Sequence, residues 1–308
     1  MKFWHPRYWL IWLGISLLWL IIKLPIAGQQ RIAQGLGKVL FHVLGKRRRV
    51  CCINLKLAFP ELDQEAINNL NQKHFNNLAM ALFEAAMGWW GKADRLRNLY
   101  TFEGEEHLTK ALAQDNGVIL LGAHFTNIEL SGRLLSDHLN NTLLHFVYRP
   151  HQNDLLESII ANNRAERYGN VIQKSDIRGM VRTLKQGHPL WYAQDQSYRG
   201  KTSVEVDFFN VATDTNSATS WLCKVSKATV VPLFTFRDTK TARYILRALP
   251  PLDNFPSGDD ALDTQRINDI IASQIREFPD QYLWTHKRFK TATSDYYSNS
   301  HAKDVNCQ

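Results

Sequence analysis

Val118-Ile119-Leu120-Leu121-Gly122-Ala123-His124-Phe125-Thr126-Asn127-Ile128-Glu129 is the stretch that decides how this chain is read. Residues 118–123 are apolar or small without alternation, the pattern of a strand buried on both faces. An imidazole and a carboxylate then follow five positions apart, across the start of a helical pattern at 127–139. In open α/β sheets ligands bind outside the carboxyl ends of the strands, so this turn is where chemistry is expected. With His124 on the turn and Glu129 in the first helical turn, the chain can fold back. The carboxylate then accepts from one ring nitrogen while the other faces a substrate, which is the arrangement of a general base. The same letters also spell a capping box, Thr126-x-x-Glu129, in which Glu129 would only close the helix.

Working outward, residues 143–148, 189–193, 229–236 and 243–249 read as further strands, and 229–236 is again a near-continuous apolar run. Helical patterns fall at 153–168, 176–186, 215–227 and 260–277, and a long amphipathic one at 63–90. The expected fold is α/β, a mainly parallel or mixed sheet flanked by helices. His74 and Glu84 on the long helix are expected to pack it.

The composition bounds the rest. Of 308 residues 44% are hydrophobic and 21% charged, which supports a large buried core and excludes disorder over most of the chain. The 4 cysteines show no Cys-x-x-Cys or Cys/His cluster, so they read as reduced thiols with no structural metal. The net charge of +8 is unevenly placed: ten basic residues precede the first acid, Glu61, and the body from 61 onward holds 27 bases against 29 acids. This asymmetry favours an anionic membrane surface near the N-terminus over nucleic acid.

Residues 8–22 are uncharged and rich in Trp, Leu and Ile. As a helix they reach only about 22 Å, approaching the roughly 30 Å hydrocarbon thickness if the span runs on past Lys23 and Pro25 to Ala27. A retained transmembrane anchor is the favoured reading. A signal peptide and an in-plane or core helix are the alternatives. Positive residues after the span, including Lys46 to Arg49, would place the body in the cytoplasm. The expected organisation is an anchor over 1–28, a basic membrane-proximal segment over 29–60, a catalytic domain over 61–292 and a polar tail over 293–308.

No Gly-x-Ser-x-Gly elbow occurs, so a base without a protein nucleophile suggests that the substrate's own hydroxyl attacks. Acyl transfer to a bound alcohol follows. His-x4-Glu after a buried strand resembles the signature of the glycerolipid acyltransferase superfamily. Further stretches resemble the bacterial late acyltransferases of lipid A biosynthesis. They are His5-Pro6-Arg7-Tyr8-Trp9-Leu10, Arg49 with Asn54-Leu55 and Phe59-Pro60, His74-Phe75 with Glu84, and Tyr148-Arg149-Pro150 with Arg164. Trp191-Tyr192-Ala193 with Asp195-Gln196, Phe208-Phe209, and the run from Trp284 to Thr291 complete the set. Glu129 and the Tyr-Arg-Pro triplet resemble the lauroyltransferase branch more than the myristoyltransferase branch.

The resemblance implies a glycerolipid-acyltransferase-like fold at the bacterial inner membrane, single-pass, with the catalytic domain on the cytoplasmic side. A lauroyl or similar chain would pass from acyl carrier protein to the 3-hydroxyl of a hydroxyacyl chain on a Kdo-bearing lipid A precursor, without cofactor, metal or nucleic acid. His124 would be the base, held by Glu129. Arg149, Arg164 and Arg167 suit anionic substrate groups, because a guanidinium binds them bidentately, with ordinary ion pairing on a helix surface, such as Arg167 with Glu157 or Glu166, as the alternative. Asp195 would orient Arg164, form the floor of the site, or simply make a turn. Lys287, Arg288 and Lys290 would meet the acidic carrier or lipid phosphates, or simply form a solvated terminus. Acylation of another membrane glycolipid, and thioester hydrolysis, are the rival activities.

Overall fold

Val118–Gly122 lies in the middle of the sheet, and all five residues are buried. The computed structural model describes residues 3–140, 142–148, 150–165, 171–292 and 296–297. The chain opens with α1 (Trp9–Ile21), α2 (Ile26–Val43), α3 (Gly45–Ala58), α4 (Gln64–Trp90) and α5 (Ala93–Arg97). It continues through β1 (Tyr100–Glu103), α6 (Glu105–Leu112), β2 (Val118–Gly122), α7 (Ile128–Leu139), β3 (His145–Tyr148) and α8 (Asp154–Ala165). Then come β4 (Val171–Gln173), α9 (Ile177–Lys185), β5 (Pro189–Ala193), β6 (Ser203–Phe208) and β7 (Val211–Asn216). Last are α10 (Ala218–Ser226), β8 (Thr229–Asp238), β9 (Arg243–Ala248) and α11 (Asp260–Glu277).

Among the described residues, seven strands form one sheet in the order β1-β9-β8-β2-β5-β3-β4. All neighbours are parallel except β8 and β9, so the sheet is mixed. Successive side chains of β2 point to opposite faces. Ile119 and Leu121 join a core with Met180, Leu184, Leu222 and Ile271, while Val118 and Leu120 join one with Ile22, Met80, Leu130 and Leu134. Helices α9, α10 and α11 therefore cover one face, and α7, the middle of α4 and the α1–α2 corner cover the other. β6 and β7 form a separate hairpin through Phe209 and Asn210, both at positive φ (55° and 59°). A two-residue turn of this kind usually announces itself with Asn-Gly or Asp-Gly. Phe-Asn hides it, and the sequence reading took 215–216 into a helix.

The N-terminal layer does not confirm the expected membrane span. No described helix is long and apolar enough to cross a membrane. α1 ends at Ile21 after 13 residues, and the chain turns at Lys23-Leu24-Pro25 before α2 starts. Proline lacks the N–H needed to continue the helix. Arg95 then staples the corner by donating to the carbonyls of Ile22 and Leu24, and Gln29 Nε2 donates to Leu24 O at 3.0 Å. The segment expected over 29–60 falls within α2 and α3 up to Ala58, with Cys51, Cys52, Asn54 and Leu55 of α3 fully buried. Cys51 and Cys223 are free buried thiols, whereas Cys52 is disulfide-bonded, a correction to four reduced thiols. Adjacent helical positions diverge by about 100°, so Cys51 and Cys52 do not pair with each other, and spacing cannot show a distant partner.

α4 ties this layer to the sheet. Arg237 Nε of β8 donates to Glu84 Oε1 at 3.1 Å, and Tyr244 OH of β9 donates to the same oxygen at 2.9 Å, all buried. His74 and Asn77 both hydrogen-bond Asp280 O, at 3.2 and 2.9 Å. Asn54 Nδ2 donates to Trp284 O at 2.6 Å and to His286 O at 2.7 Å. The 279–288 segment is thus pinned by α3 and α4, and it in turn carries the turn after β2. Of the tail expected over 293–308, only Tyr296 and Tyr297 are described; Tyr297 OH donates to Asn54 Oδ1 and accepts from Phe289 N.

Candidate active site

β2 delivers His124 two residues past its carboxyl end, and the backbone around it is clamped. Leu283 N donates to His124 O at 2.9 Å, and Thr126 N donates to Gln281 O at 2.9 Å. Phe125 is buried edge-on against Phe236 and Tyr282, with ring centroids at 5.1 and 5.9 Å. Such pairs add about 0.5–1.5 kcal/mol each beyond burial. Gly122 is required for close approach: a Cβ there would stand 2.5 Å from Trp191 Nε1, and that indole packs edge-on to the His124 ring.

The carboxylate on His124 comes from Asp195. Asp195 Oδ1 takes the hydrogen bond from Nδ1 at 2.7 Å, and Oδ2 accepts from the His124 backbone N–H at 3.0 Å. Strand register produces this. Gly122 of β2 pairs with Ala193 of β5 in parallel register, so the residues two beyond each, 124 and 195, emerge side by side. Asp195 is fully buried, while the His124 side chain is 25% exposed. With Nδ1 directed at the acid, Nε2 is the ring nitrogen left for a substrate.

The electrostatics follow. Burial pushes the His124 pKa down, but the Asp195 charge and hydrogen bond outweigh it and hold the imidazole above its ordinary 6.5. Burial pushes Asp195 up, and His124 outweighs that too, lowering the carboxyl to about 2. Stability from the depressed carboxyl is complete above its unfolded value near 4 and is lost as pH falls toward about 2. Stability from the raised imidazole is complete below 6.5 and is lost as pH rises through the folded value. Burial lowers nearby His286 to about 4, which keeps a second positive charge away from the pair.

Glu129 makes a different pair. Its Oε2 accepts from Trp89 Nε1 at 3.2 Å and its Oε1 accepts from Arg164 Nη2. The carboxylate and the guanidinium are each about one-fifth exposed, at 19% and 18%, and the guanidinium carbon lies 5.6 Å from the Tyr148 ring centroid. α4 crosses α7 closely here: a Cβ on Gly88 would meet Glu129 O at 2.9 Å. The capping box does not form, since Asn127 is the N-cap residue, no side chain caps the helix, and Thr126 Oγ1 is buried without a partner.

The profile of bacterial lipid A biosynthesis acyltransferases matches residues 1–291. The chain belongs to that family. It is 33% identical over 288 residues to the lipid A biosynthesis lauroyltransferase of Escherichia coli strain K12, covering 93% of each chain. To the palmitoleoyltransferase of the same organism it is 34% identical over 293 residues, 94% of each chain. To its myristoyltransferase the identity is 27% over 292 residues, 94% of this chain and 90% of the relative. The protein is accordingly an acyltransferase of lipid A biosynthesis.

Within this acyltransferase the expected site residues sort into two groups. His124 and Asp195 meet directly, as do Glu129 and Arg164. Asp195, expected to orient Arg164 or to floor the site, grips His124. Glu129, expected on the imidazole, grips Arg164. Sequence spacing favoured Glu129 because it is near in the chain; Asp195 is 71 residues away, and only the pairing of β2 with β5 reveals it. Trp89 and Tyr282, which donates to Asp195 O at 3.4 Å, were not singled out. Arg149 and Arg167 lie outside the described residues. Arg288 does not face a partner: it is 1% exposed, donates to Thr215 Oγ1 at 2.8 Å and covers the Phe208 ring. Lys287 and Lys290 are exposed. Among the described residues no cluster of three or more His, Cys, Asp or Glu could hold a metal ion.

Proposed function

We propose that this acyltransferase moves a lauroyl or similar chain from acyl carrier protein to the 3-hydroxyl of a hydroxyacyl chain on a Kdo-bearing lipid A precursor, with His124 as general base. The observation that carries the reading is the His124–Asp195 pair, with its acid buried and its imidazole partly open at the carboxyl end of the central strand. His124 Nε2 takes the hydroxyl proton, and Asp195 supports the imidazolium that results. The alkoxide attacks the thioester carbonyl, the C–S bond breaks, and the imidazolium returns the proton to the departing thiolate. Ester and free carrier thiol are the products. Glu129 sets the orientation of Arg164, whose fork of donors suits a phosphate or sugar carboxylate of the acceptor. Arg149 and Arg167 are proposed to share that work. Identities of 33% and 34% to the lauroyl- and palmitoleoyl-transferring relatives, against 27% to the myristoyl-transferring one, support a donor related to the first two.

The membrane association is proposed to be in-plane, at the cytoplasmic side of the inner membrane. Trp9, Leu10, Leu13, Leu17 and Leu20 of α1 are exposed, as are Ile32, Val39 and Val43 of α2. Exposed apolar side chains at this density suit an interfacial helix. An apolar cleft of about 660 Å³ lies between Trp12, Ile15 and Trp19 of α1, Trp90, and Ile159 of α8. Its lining includes Trp90 of α4 and Asn163 of α8, the helices that also carry Trp89 and Arg164, and its apolar walls suit an acyl chain.

The test is transfer from acyl carrier protein to purified precursor, read by mass spectrometry of the lipid product. His124→Ala is expected to abolish the added acyl mass while the protein stays folded; unchanged turnover would remove His124 from the mechanism. Free fatty acid released at the same rate with and without acceptor would establish the hydrolase instead. Leu13→Glu with Leu17→Glu is expected to lower partition into phospholipid vesicles at least tenfold, since each buried Leu contributes about 1.5–3 kcal/mol.

A further inference from the structure

The sheet face opposite the α1–α2 corner carries a feature that the chemistry at His124 leaves unused. Between α9 and α10 runs an open groove of about 430 Å³, floored by Ile177, Val181, Trp221 and Val225. A spacing of four on each helix sets these side chains in line, and Ile177 and Trp221 are each 42% exposed. Arg178, Arg182 and Lys185 form the exposed rim along α9. Lys224 and Lys227 line the hollow on the other flank of α10, which also has a volume of about 430 Å³.

Residues 177–188 and 217–229 contain these five cations and no carboxylate, in a body whose acids outnumber its bases. Among the described residues none of the five is in an ion pair. The nearest acid in sequence, Asp176, is occupied in capping α9 through Gly179 N. A row of like charges at helical spacing destabilises its own helix; an anionic partner lying along it removes that cost.

We propose that the α9–α10 groove docks the acidic carrier protein that brings the acyl thioester. An amphipathic helix of the carrier would lay apolar residues on the Ile177–Trp221 floor and carboxylates against the α9 rim. Two placements favour a soluble protein over lipid. The exposed apolar residues of α1 and α2 belong to the layer on the other sheet face, so an enzyme resting on them turns the groove toward solvent. α9 also begins just after the carboxyl end of β4, which runs parallel through β3 and β5 to β2. The Ile177 end of the groove therefore lies at the edge of the sheet where His124 emerges, and a flexible thioester arm is directed along that edge. The inference rests on the donor being carrier-bound.

The experiment uses the full chain with Arg178→Glu, Arg182→Glu and Lys185→Glu combined, and the milder Arg182→Gln in case the triple variant misfolds. Kd is measured with fluorescently labelled acyl carrier protein, and KM with acyl carrier protein and with acyl-pantetheine, a thioester lacking the protein. Expected are a rise of at least tenfold in both Kd and KM for the carrier in the triple variant and about two- to threefold in Arg182→Gln. Turnover of acyl-pantetheine stays unchanged, and the difference shrinks at high salt. Equal carrier binding by wild type and variants would overturn the groove assignment alone. Loss of binding to phosphatidylglycerol vesicles with carrier affinity unchanged would overturn it in favour of lipid. A wild-type enzyme that uses acyl-pantetheine but binds no carrier would overturn both this inference and the carrier-bound donor.

Discussion

Two carboxylates flank the turn after β2, and their settings differ. Asp195 is sealed, turns both carboxylate oxygens to His124, and owes its position to strand register. Glu129 is partly wet, shares its oxygens between an indole and a guanidinium, and bridges α7, α4 and α8. A sheet fixes register along its whole length, because a slip of one residue turns every side chain to the other face. Helices packed side by side adjust more freely. The rigid acid therefore suits control of a proton, and the adjustable one suits an acceptor that must be gripped and released.

Replacing the imidazole separates the two pairs most sharply. His124→Ala is expected to lower turnover about 10³-fold, with far-ultraviolet dichroism and lipid association retained. Asp195→Asn comes next, with a loss on the order of 10²-fold or more in kcat and little change in KM for the lipid. Since burial then acts on the ring unopposed, the acid limb of its pH–rate profile moves to lower pH, whereas in wild type that limb lies above 6.5.

Glu129→Gln and Arg164→Ala are each expected to cost about tenfold, chiefly in KM for the acceptor, with the acid limb unmoved. The double variant should cost little more than either single one, as for partners in one contact. Because both groups retain solvent contact, the accompanying loss of stability is held to about 1 kcal/mol, read as a small drop in Tm. A shift of the acid limb in Glu129→Gln would erase the contrast between the acids. The smallest effect is expected for Trp89→Phe, which removes one hydrogen bond to Glu129 and should change acceptor KM about two- to threefold.

The sequence was most legible where burial writes an unbroken pattern. The runs at 118–123, 229–236 and 63–90 match β2, β8 and α4 to within a residue or two at their ends, because apolar runs and helical periodicity are local signals. His124 and Glu129 were found for the same reason: both sit within a few residues of a recognisable strand end. What escaped was non-local. The grip of Asp195 on His124 depends on Gly122 pairing with Ala193, which neither segment records alone. The hairpin of β6 and β7 escaped because Phe209 and Asn210 adopt a turn usually signalled by glycine. The corner at Pro25 was visible as a residue, yet its consequence depends on Arg95, far along the chain, holding it in place. Arg288 looked like a surface cation in a basic run, and its burial under Phe208 is a property of packing alone.

General-base action by His124 requires Asp195 to hold the ring with its proton on Nδ1 and its Nε2 bare. Nitrogen-15 NMR of histidine-labelled protein, titrated in wild type and in Asp195→Asn with His124→Ala to assign the signal, tests this directly. The expected result is a wild-type His124 pKa above 6.5, the Nδ1–H tautomer at high pH, and a lower pKa in Asp195→Asn. A wild-type pKa at or below 6.5, or a neutral ring protonated on Nε2, would contradict it.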